Sequence, residues 1–388
     1  MPLPALRQGN YGLVLDPETH VARAKEESPR AKRQRLYNNL LGDAAFCPVV
    51  RRTAKIRQEE AEDLTAQVRE ALGRYPADLL ARANRWLHLK ETKASFAIEH
   101  APPDRRREAA FLEILAQAGS EPLTKSLLLR LQNAIVDPRY REGDYRGTQV
   151  YVGETLHSGN ELVHFVGARP EDVPALMEGL LTVADRLVRG DVHPLVAAAV
   201  VAFLFVFIHP FDDGNGRLHR YLLQHLLVAK GVIPAGTVLP LSAVLQRNPA
   251  RYDAMLETFS KRLMPRVDYA LDPQGRMTVR NPTADYYRHI DLTPIVEVLF
   301  DVARETLRQE LLPELRWLSL RDEILARFRA IVDMPDARAQ LFARLALQNG
   351  DRLAKARRAD FPELTDGEVA ALEQAIADAR AALAAPTP

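Results

Sequence analysis

The sequence predicts a mainly α-helical protein with a short β-hairpin. Residues from Leu195 to Ile208 are continuously apolar over about 14 positions, fewer than the roughly 20 that a membrane-spanning helix needs. This segment therefore predicts a buried core helix. Apolar side chains also recur at helical spacing from Leu79 to Leu87, and a chain of 388 residues is long enough to enclose a sizeable core.

Three segments follow one another along the chain. Residues 1–90 mix acidic and basic runs with helical periodicity, and we predict that residues 1–123 form an N-terminal helical region. Residues 124–263 begin with a leucine-rich helix, continue through a β-prone stretch and include the apolar helix, so we predict that they form the central core. Residues 264–388 open with a hairpin candidate at 269–279, centred on an Asp-Pro-Gln-Gly turn, and continue as helices.

Composition excludes several classes of protein. The net charge of +1 provides no global field that would attract nucleic acid or a membrane surface. Cys47 is the only cysteine, so the chain has no intramolecular disulfide, and the N-terminus lacks a basic-then-apolar signal pattern. We therefore expect a cytoplasmic protein without a membrane partner. The sequence also contains neither a Gly-x4-Gly-Lys phosphate loop nor a His-Glu-x-x-His zinc pair.

The segment that follows the apolar helix has the composition of a phosphate site. Gly214 and Gly216, on either side of Asn215, allow successive backbone N–H groups to converge on one anion. The chain then becomes helical, so the same anion would also lie at a helix N-terminus. Arg217 and Arg220 are three residues apart and can hold further phosphate oxygens from one helix face.

Two further side chains add chemistry to this segment. Asp213 offers the oxygen ligand that Mg²⁺ prefers. His209 precedes the loop, and an ordinary imidazole with a pKa near 6.5 is neutral and basic at pH 7. Together these residues predict a triphosphate site with a general base beside it.

The pattern His209-x-Phe211-x-Asp213-Gly-Asn-Gly-Arg217-x-x-Arg220 resembles the signature of the Fic domain, with every position filled. The resemblance implies a Fic-type helical core and a protein adenylyltransferase, which transfers AMP from ATP to a Ser, Thr or Tyr hydroxyl of a target protein and releases pyrophosphate. It also implies His209 as the base and Asp213 as the Mg²⁺ ligand. The nucleotide-binding residues implied are Gly214, Asn215, Gly216, Arg217 and Arg220.

A second pattern lies upstream, in a helix that we place at about residues 90–100. Ser95 and Glu99 are four residues apart and share a helix face. Together they resemble the inhibitory motif of the Fic family, in which the glutamate pairs with the second arginine of the signature, here Arg220. The resemblance implies autoinhibition. His100 stands where the family usually has Gly or Asn, so the local geometry departs from the family pattern.

A third pattern predicts the hairpin. Two β-prone runs, one containing Val150, Tyr151 and Val152 and the other ending at Val166, flank a turn at Ser158-Gly159-Asn160. They resemble the flap of the Fic family, which binds a target segment by strand addition. Further along the chain, Tyr252 either faces the adenine of a bound nucleotide or is an ordinary core tyrosine.

Several alternatives stay open at this point. The same scaffold could remove AMP from a modified target or transfer another phosphate-containing group. The chain could instead be a regulator that binds DNA or a partner through the C-terminal cluster Arg352, Lys355, Arg357 and Arg358, although flanking acids favour a solvated face. Expected partners are ATP and a hydroxyl-bearing protein, which could be the chain itself, and a homodimer is possible.

Overall fold

A computed structural model describes residues 11–100, 105–156 and 161–384. It is mainly α-helical, as predicted. The helices are α1 Ala54–Glu62, α2 Leu64–Gly73, α3 Ala77–Ile98, α4 Arg105–Ala116, α5 Lys125–Ile135, α6 Val173–Arg189, α7 Pro194–Ile208, α8 Asn215–Ala229, α9 Leu241–Arg247, α10 Pro249–Leu263, α11 Ala284–Arg288, α12 Thr293–Thr306, α13 Leu312–Ile331, α14 Asp336–Gln348 and α15 Asp366–Ala384. The strands are β1 Gly12–Leu13, β2 Arg30–Ala31, β3 Leu36–Tyr37, β4 Tyr151–Thr155, β5 Glu161–Val166, β6 Tyr269–Leu271 and β7 Met277–Val279.

The described residues divide into two compact units. The larger contains the described chain up to Arg74 together with Asn84–Glu310, and the smaller contains Tyr75–Ala83 and the described chain from Leu311 onward. The division into 1–123, 124–263 and 264–388 stays a prediction about segments of sequence.

The N-terminal region is less helical than its periodicity predicts. Residues 11–53 form the small sheet β1-β3-β2 and irregular loops, and the first helix begins at Ala54. Prolines at positions 17, 29 and 48 interrupt this stretch, and each removes a backbone N–H donor that a helix would need. Helix formation starts only where Thr53 caps α1 by accepting a hydrogen bond from the backbone of Ile56.

Helix α7 is the centre of the larger unit. Every residue from Leu195 to Ile208 is buried, and the helix packs against α6, α8 and α12. The apolar segment is therefore a core helix, as predicted. Among the described residues, no helix combines the length and the apolar content needed to cross a bilayer.

Both predicted hairpins are present. Strands β4 and β5 pair antiparallel, with a register shift between Val152 and Gly153, and β6 pairs with β7. The predicted turn at 158–160 lies outside the described residues. The first hairpin leaves both Val152 and Leu162 about half exposed, at 49% and 43%.

The smaller unit has its own core. Helices α13, α14 and α15 pack together, and the rings of Phe328, Phe342 and Phe361 meet edge to face at centroid distances of 5.6 and 5.2 Å. Such contacts between buried aromatic rings stabilise a core beyond the area that they bury.

Candidate active site

A cleft of about 610 Å³ lies where five elements of the larger unit meet. The β4–β5 hairpin forms one wall and α10 forms another. The end of α3, the end of α7 and the start of α8 complete the lining. The cleft therefore brings together the three sequence patterns: His209 from the glycine-rich segment, Glu99 from the upstream helix and Val152 from the hairpin.

His209 ends α7 in a left-handed conformation, with φ 57° and ψ 63°. Its Nδ1 lies 3.0 Å from the carbonyl oxygen of Val206. Because a carbonyl oxygen only accepts, Nδ1 carries the proton and Nε2 keeps its lone pair. Burial lowers the pKa of His209 to about 4, so the ring is neutral at pH 7. This is the protonation state that a general base requires.

The loop after His209 is held by its own side chains. The Asn215 amide binds Phe211 at both ends, with Oδ1 accepting from the backbone N–H at 3.1 Å and Nδ2 donating to the carbonyl oxygen at 2.7 Å. Phe211 is fully buried. Gly214 has φ 92°, and a Cβ there would lie 3.1 Å from Val136 Cγ1. Asn215 therefore shapes the loop, whatever its contact with a nucleotide.

Gly214 precedes α8 as its N-cap and provides no capping side chain. The N–H groups of its first turn are therefore available to an anion. Asp213, next to this turn, accepts hydrogen bonds through Oδ1 from Gly214 N at 2.6 Å and from Arg217 at 2.7 Å. Within the described chain, its Oδ2 accepts no hydrogen bond, and 43% of the side chain is exposed.

The two arginines differ in their surroundings. Arg217 donates to the carbonyl oxygen of Ile135 at 2.8 Å and lies over the ring of Phe96, so most of its guanidinium has protein partners. Arg220 is completely buried and donates from Nε to Ser95 Oγ at 2.7 Å and from Nη2 to Ser95 O at 2.8 Å. Among the described residues, one nitrogen of each guanidinium has no hydrogen-bond partner: Nε of Arg217 and Nη1 of Arg220. Both arginines can therefore still donate to an anionic ligand.

The carboxylate of Glu99, which follows α3, lies against the first turn of α8. Its Oε1 accepts from Arg220 Nη2 at 2.8 Å, and a Cβ on Gly216 would lie only 2.7 Å from its Cδ. Burial acts to raise the pKa of this carboxyl, but the charge and hydrogen bond of Arg220 outweigh it, and the pKa is lowered. The carboxylate is therefore ionised at neutral pH and lies beside the N-terminus where an anion would bind.

The departure at His100 has a structural explanation. Helix α3 ends at Ile98, and His100 adopts φ 50°, the left-handed conformation that Gly and Asn favour at helix ends. Histidine is among the non-glycine residues enriched in this region. In this chain a histidine therefore makes the left-handed turn that follows Glu99.

This turn predicts an increase in stability on substitution. His100→Gly should raise the free energy of unfolding by about 0.5–1 kcal/mol, because glycine adopts positive φ without the steric cost of a Cβ. Chemical denaturation at pH 7.5 measures the change. His100→Ala is the matched control, since it keeps the Cβ and should give no gain. An equal gain in both variants would show that the side chain, and not the backbone conformation, limits stability.

The remaining predicted residues lie around the cleft. Val152 is in β4 and lines the cleft, Tyr151 begins the strand, and Val150 precedes it and accepts from Gly167 N at 3.0 Å. Tyr252, on α10, also lines the cleft but is only 6% exposed. Burial raises its pKa to about 12, so its hydroxyl stays protonated. Its position is compatible with both alternatives, a residue that faces the adenine and a core tyrosine.

Sequence reasoning missed two buried polar residues near the site. Glu91 accepts from Ser242 Oγ at 2.6 Å and from its backbone N–H at 2.9 Å, and burial raises the pKa of Glu91 to about 7. Glu91 lies four residues before Ser95 on α3, and this spacing, which places both on one helix face, could have indicated that Glu91 lies near the site. Gln132 donates to Asp213 O at 3.4 Å and to Tyr140 O at 3.0 Å, and no sequence pattern marks it.

Buried histidines predict acid sensitivity of the larger unit. Burial lowers the pKa of His193, His209 and His225 to about 4 and that of His219 to about 3. In the unfolded chain these groups titrate near 6.5. Below that value the unfolded chain therefore binds more protons, and the free energy of unfolding falls as pH falls. Glu91 and Glu142, whose pKa values burial raises, act in the opposite sense, but they are two groups against five, because burial also lowers the pKa of His88.

The expected result is a urea midpoint that is highest near pH 7.5 and falls steadily from pH 6.5 to 5.5, before most carboxylates titrate. His225→Gln should reduce this slope, because one of these histidine rings is removed. A midpoint that stays constant across this window would contradict the assignment of neutral buried rings.

Comparison with known proteins identifies the central segment. The family model described as Fic/DOC family matches residues 122–227. These residues are a Fic domain. The Fic domain extends from just before α5 to near the end of α8, so it contains the β4–β5 hairpin, His209 and Arg220, whereas Glu99 and Tyr252 lie outside it.

Named relatives match part of the chain. The protein adenylyltransferase Fic of Culex quinquefasciatus is 38% identical over 102 residues, which is 26% of this chain and 18% of the relative. That of Drosophila mojavensis is 28% identical over 147 residues, 36% of this chain and 27% of the relative. The chain therefore spans less than a third of the length of either relative.

Solved structures of Fic proteins are also similar. A Fic family protein from Desulfovibrio desulfuricans G20 aligns with a TM-score of 0.45 and 24% identity, covering 77% of this chain and 87% of the other. A Fic domain containing signaling protein from Bacteroides thetaiotaomicron aligns with a TM-score of 0.45 and 20% identity, covering 66% and 94%.

Proposed function

We propose that this chain is a protein adenylyltransferase that is held inactive by Glu99. The observation that carries the proposal is the single cleft in which a neutral His209 lies with the ionised Glu99 at the start of α8. AMP transfer to a hydroxyl requires a neutral base and an anion-binding site in the same cleft. The relatives named protein adenylyltransferase Fic support the same activity.

The proposed reaction is an in-line displacement at the α-phosphorus of ATP. The phosphates would bind to the N–H groups at the start of α8 and to Arg220. The oxygen of a target Ser, Thr or Tyr attacks the α-phosphorus, and His209 Nε2 takes the hydroxyl proton. The bond from the α-phosphorus to the bridging oxygen breaks and pyrophosphate leaves. The products are the AMP-modified target and pyrophosphate.

The residues present are compatible with Mg²⁺. Asp213 offers Oδ2, an exposed hard oxygen that is not hydrogen-bonded within the described chain, and Mg²⁺ bound with a nucleotide often uses one or two carboxylates together with phosphates and water. When bound, the ion would neutralise charge on the phosphates. The described residues contain no cluster of three potential metal ligands, which suits an ion that arrives with ATP.

Autoinhibition follows from competition for one guanidinium. Glu99 accepts from Arg220 Nη2 and lies against Gly216, at the same helix start that the phosphates would use. A carboxylate and a phosphate cannot both occupy this position, because like charges in a partly buried site repel strongly. Release of Glu99 would therefore expose Arg220 and the helix N-terminus together.

The β4–β5 hairpin is proposed to dock the target. Strand β5 packs against α10, while β4 carries the more exposed side chains. An extended target segment can pair with an open strand edge through main-chain hydrogen bonds, which place its hydroxyl with little dependence on sequence. Val152 lines the cleft with His209, so a segment on this edge would reach the base.

The test is a nucleotide panel with purified chain and with lysate proteins as targets. Incubation of the Glu99→Gly variant with ATP and Mg²⁺ should add the mass of one AMP to a protein, read by intact-mass spectrometry. If only the mass of a phosphate is added, the activity is phosphotransfer and not adenylyl transfer. Loss of AMP from a pre-modified target, without any addition, would assign the chain to AMP removal.

The alternative of DNA binding by the C-terminal cluster has no favouring observation. Arg357 pairs with Asp360 at 3.2 Å, and Arg358 pairs with Asp366 at 3.0 Å. Arg358 also donates to the carbonyl oxygens of Phe361 and Leu364, so it holds a turn of the smaller unit. These two cations therefore already have protein partners.

A further inference from the structure

Arg146 is a buried cation beside the proposed base. It is only 3% exposed, and the described residues give it no carboxylate partner within ion-pair distance. Its guanidinium instead donates to main-chain oxygens alone. Nε donates to His209 O at 2.6 Å and Nη2 to Ile208 O at 3.4 Å, while Nη1 donates to Thr148 O and Nη2 also to Ala168 O.

Two of these acceptors, the carbonyl oxygens of Ile208 and His209, lie at the carboxyl end of α7. The carboxyl end of a helix carries partial negative charge and unpaired carbonyl oxygens, and a cation there satisfies both. The same contact supports the left-handed conformation of His209, at φ 57°, which is unfavourable for a residue with a Cβ. Arg146 N also donates to Pro210 O at 3.0 Å, on the other side of His209.

The other two acceptors lie at the two ends of the β4–β5 hairpin. Thr148 precedes β4, and Ala168 follows β5. Packing reinforces the connection at Gly167, where a Cβ would lie 3.0 Å from Arg146 Nη2 and 3.2 Å from His209 Cβ. The guanidinium of Arg146 therefore contacts both ends of the hairpin and the backbone of His209.

We propose that Arg146 is a positioning residue that fixes His209 and both ends of the β4–β5 hairpin as one rigid group. The inference rests on the proposed function, in which the hairpin supplies the hydroxyl and His209 removes its proton. A buried cation that lacks a carboxylate partner is expensive to maintain. Here its hydrogen bonds hold the hairpin, which supplies the target hydroxyl, at a fixed distance from His209. A displacement of reacting groups by about 1 Å can reduce a rate roughly 100-fold.

The test compares Arg146→Gln and Arg146→Lys, each also in the Glu99→Gly background, with Arg169→Gln as matched control. Arg169 lies next to Ala168 but pairs with Asp172 at 2.9 Å. Both Arg146 variants should lower kcat for AMP transfer by about 100-fold, with KM for ATP changed only a few-fold, whereas the control should match its parent.

A second readout does not depend on transfer activity. In ¹⁵N-histidine NMR spectra, His209 should show the Nδ1–H tautomer and a pKa of about 4 in the wild type. The charges that act on it come from Arg146, Glu99 and Asp213. Arg146→Gln should raise its pKa by removing a cation, while Arg146→Lys keeps the charge and should leave the pKa low although kcat still falls.

The outcomes separate the two proposals. If Glu99→Gly shows no transfer, the proposed function fails, and the NMR titration still decides the role of Arg146. An unchanged tautomer and pKa of His209 in a folded Arg146→Gln protein would overturn the positioning role. Failure of both Arg146 variants to fold would also overturn it, because the residue would then serve stability alone.

Discussion

Glu99→Gly should raise the rate of AMP transfer by roughly 5- to 150-fold, the range expected for a coupling free energy of about 1–3 kcal/mol between two sites. The physical reason is the loss of a competitor. Arg220 already has one nitrogen, Nη1, without a partner among the described residues, and the substitution releases Nη2 from Glu99 as well. Transfer of label from α-labelled ATP to protein measures the rate.

Two companion variants make this result specific. Glu99→Gln keeps the shape of the side chain but removes the charge, so it should give an intermediate rate. Glu178→Gln removes an exposed carboxylate on α6, away from the cleft, and should leave the rate at the wild-type level. A Glu99→Gly protein no faster than the wild type would retire the inhibitory role of Glu99.

His209→Ala, made in the Glu99→Gly background, should lower transfer by about 100- to 10,000-fold, the usual contribution of a general base. The variant loses the neutral ring with its free Nε2, together with the hydrogen bond from Nδ1 to Val206 O, but it leaves the start of α8 and both arginines in place. Affinity for ATP, measured by calorimetry, should change little. His20→Ala, remote from the cleft, is the control.

The same assignment predicts the pH dependence of transfer. Because burial lowers the pKa of His209 to about 4, the base stays neutral well below pH 6. The acid limb of the kcat profile should therefore lie near pH 4–5, wherever the fold persists, and not near 6.5. Full activity of His209→Ala, or an acid limb at the ordinary histidine pKa, would contradict the proposed base.

Much of the fold was predictable because its signals are local. The apolar run from Leu195 to Ile208 can only be buried, and it forms α7. The Asp-Pro-Gln-Gly turn predicted the β6–β7 hairpin for a similar reason, since turn chemistry depends on adjacent residues. The irregular stretch at 11–53 was not predicted, because its form depends on contacts to distant parts of the chain, such as Cys47 N to Arg288 O at 2.9 Å.

The candidate site was only partly predictable. The motif from His209 to Arg220 and the pair Ser95 and Glu99 are close enough in sequence to be read as patterns. Arg146 has no such signal, because an arginine that binds main-chain oxygens contacts residues 2, 22, 62 and 63 positions away. A carbonyl oxygen is offered by every residue, so no residue type marks it as a partner.

By itself the sequence determined the residue types on which the proposal depends: a histidine, a carboxylate, a glycine-rich loop and a second carboxylate upstream. These follow from residue identity and short spacing. The tertiary structure decided which groups compete and which are already occupied. Glu99 accepts from Arg220, Arg217 donates to the carbonyl oxygen of Ile135, and one nitrogen of each guanidinium has no hydrogen-bond partner within the described chain. Such pairings depend on distances across the fold, and a sequence pattern contains no distances.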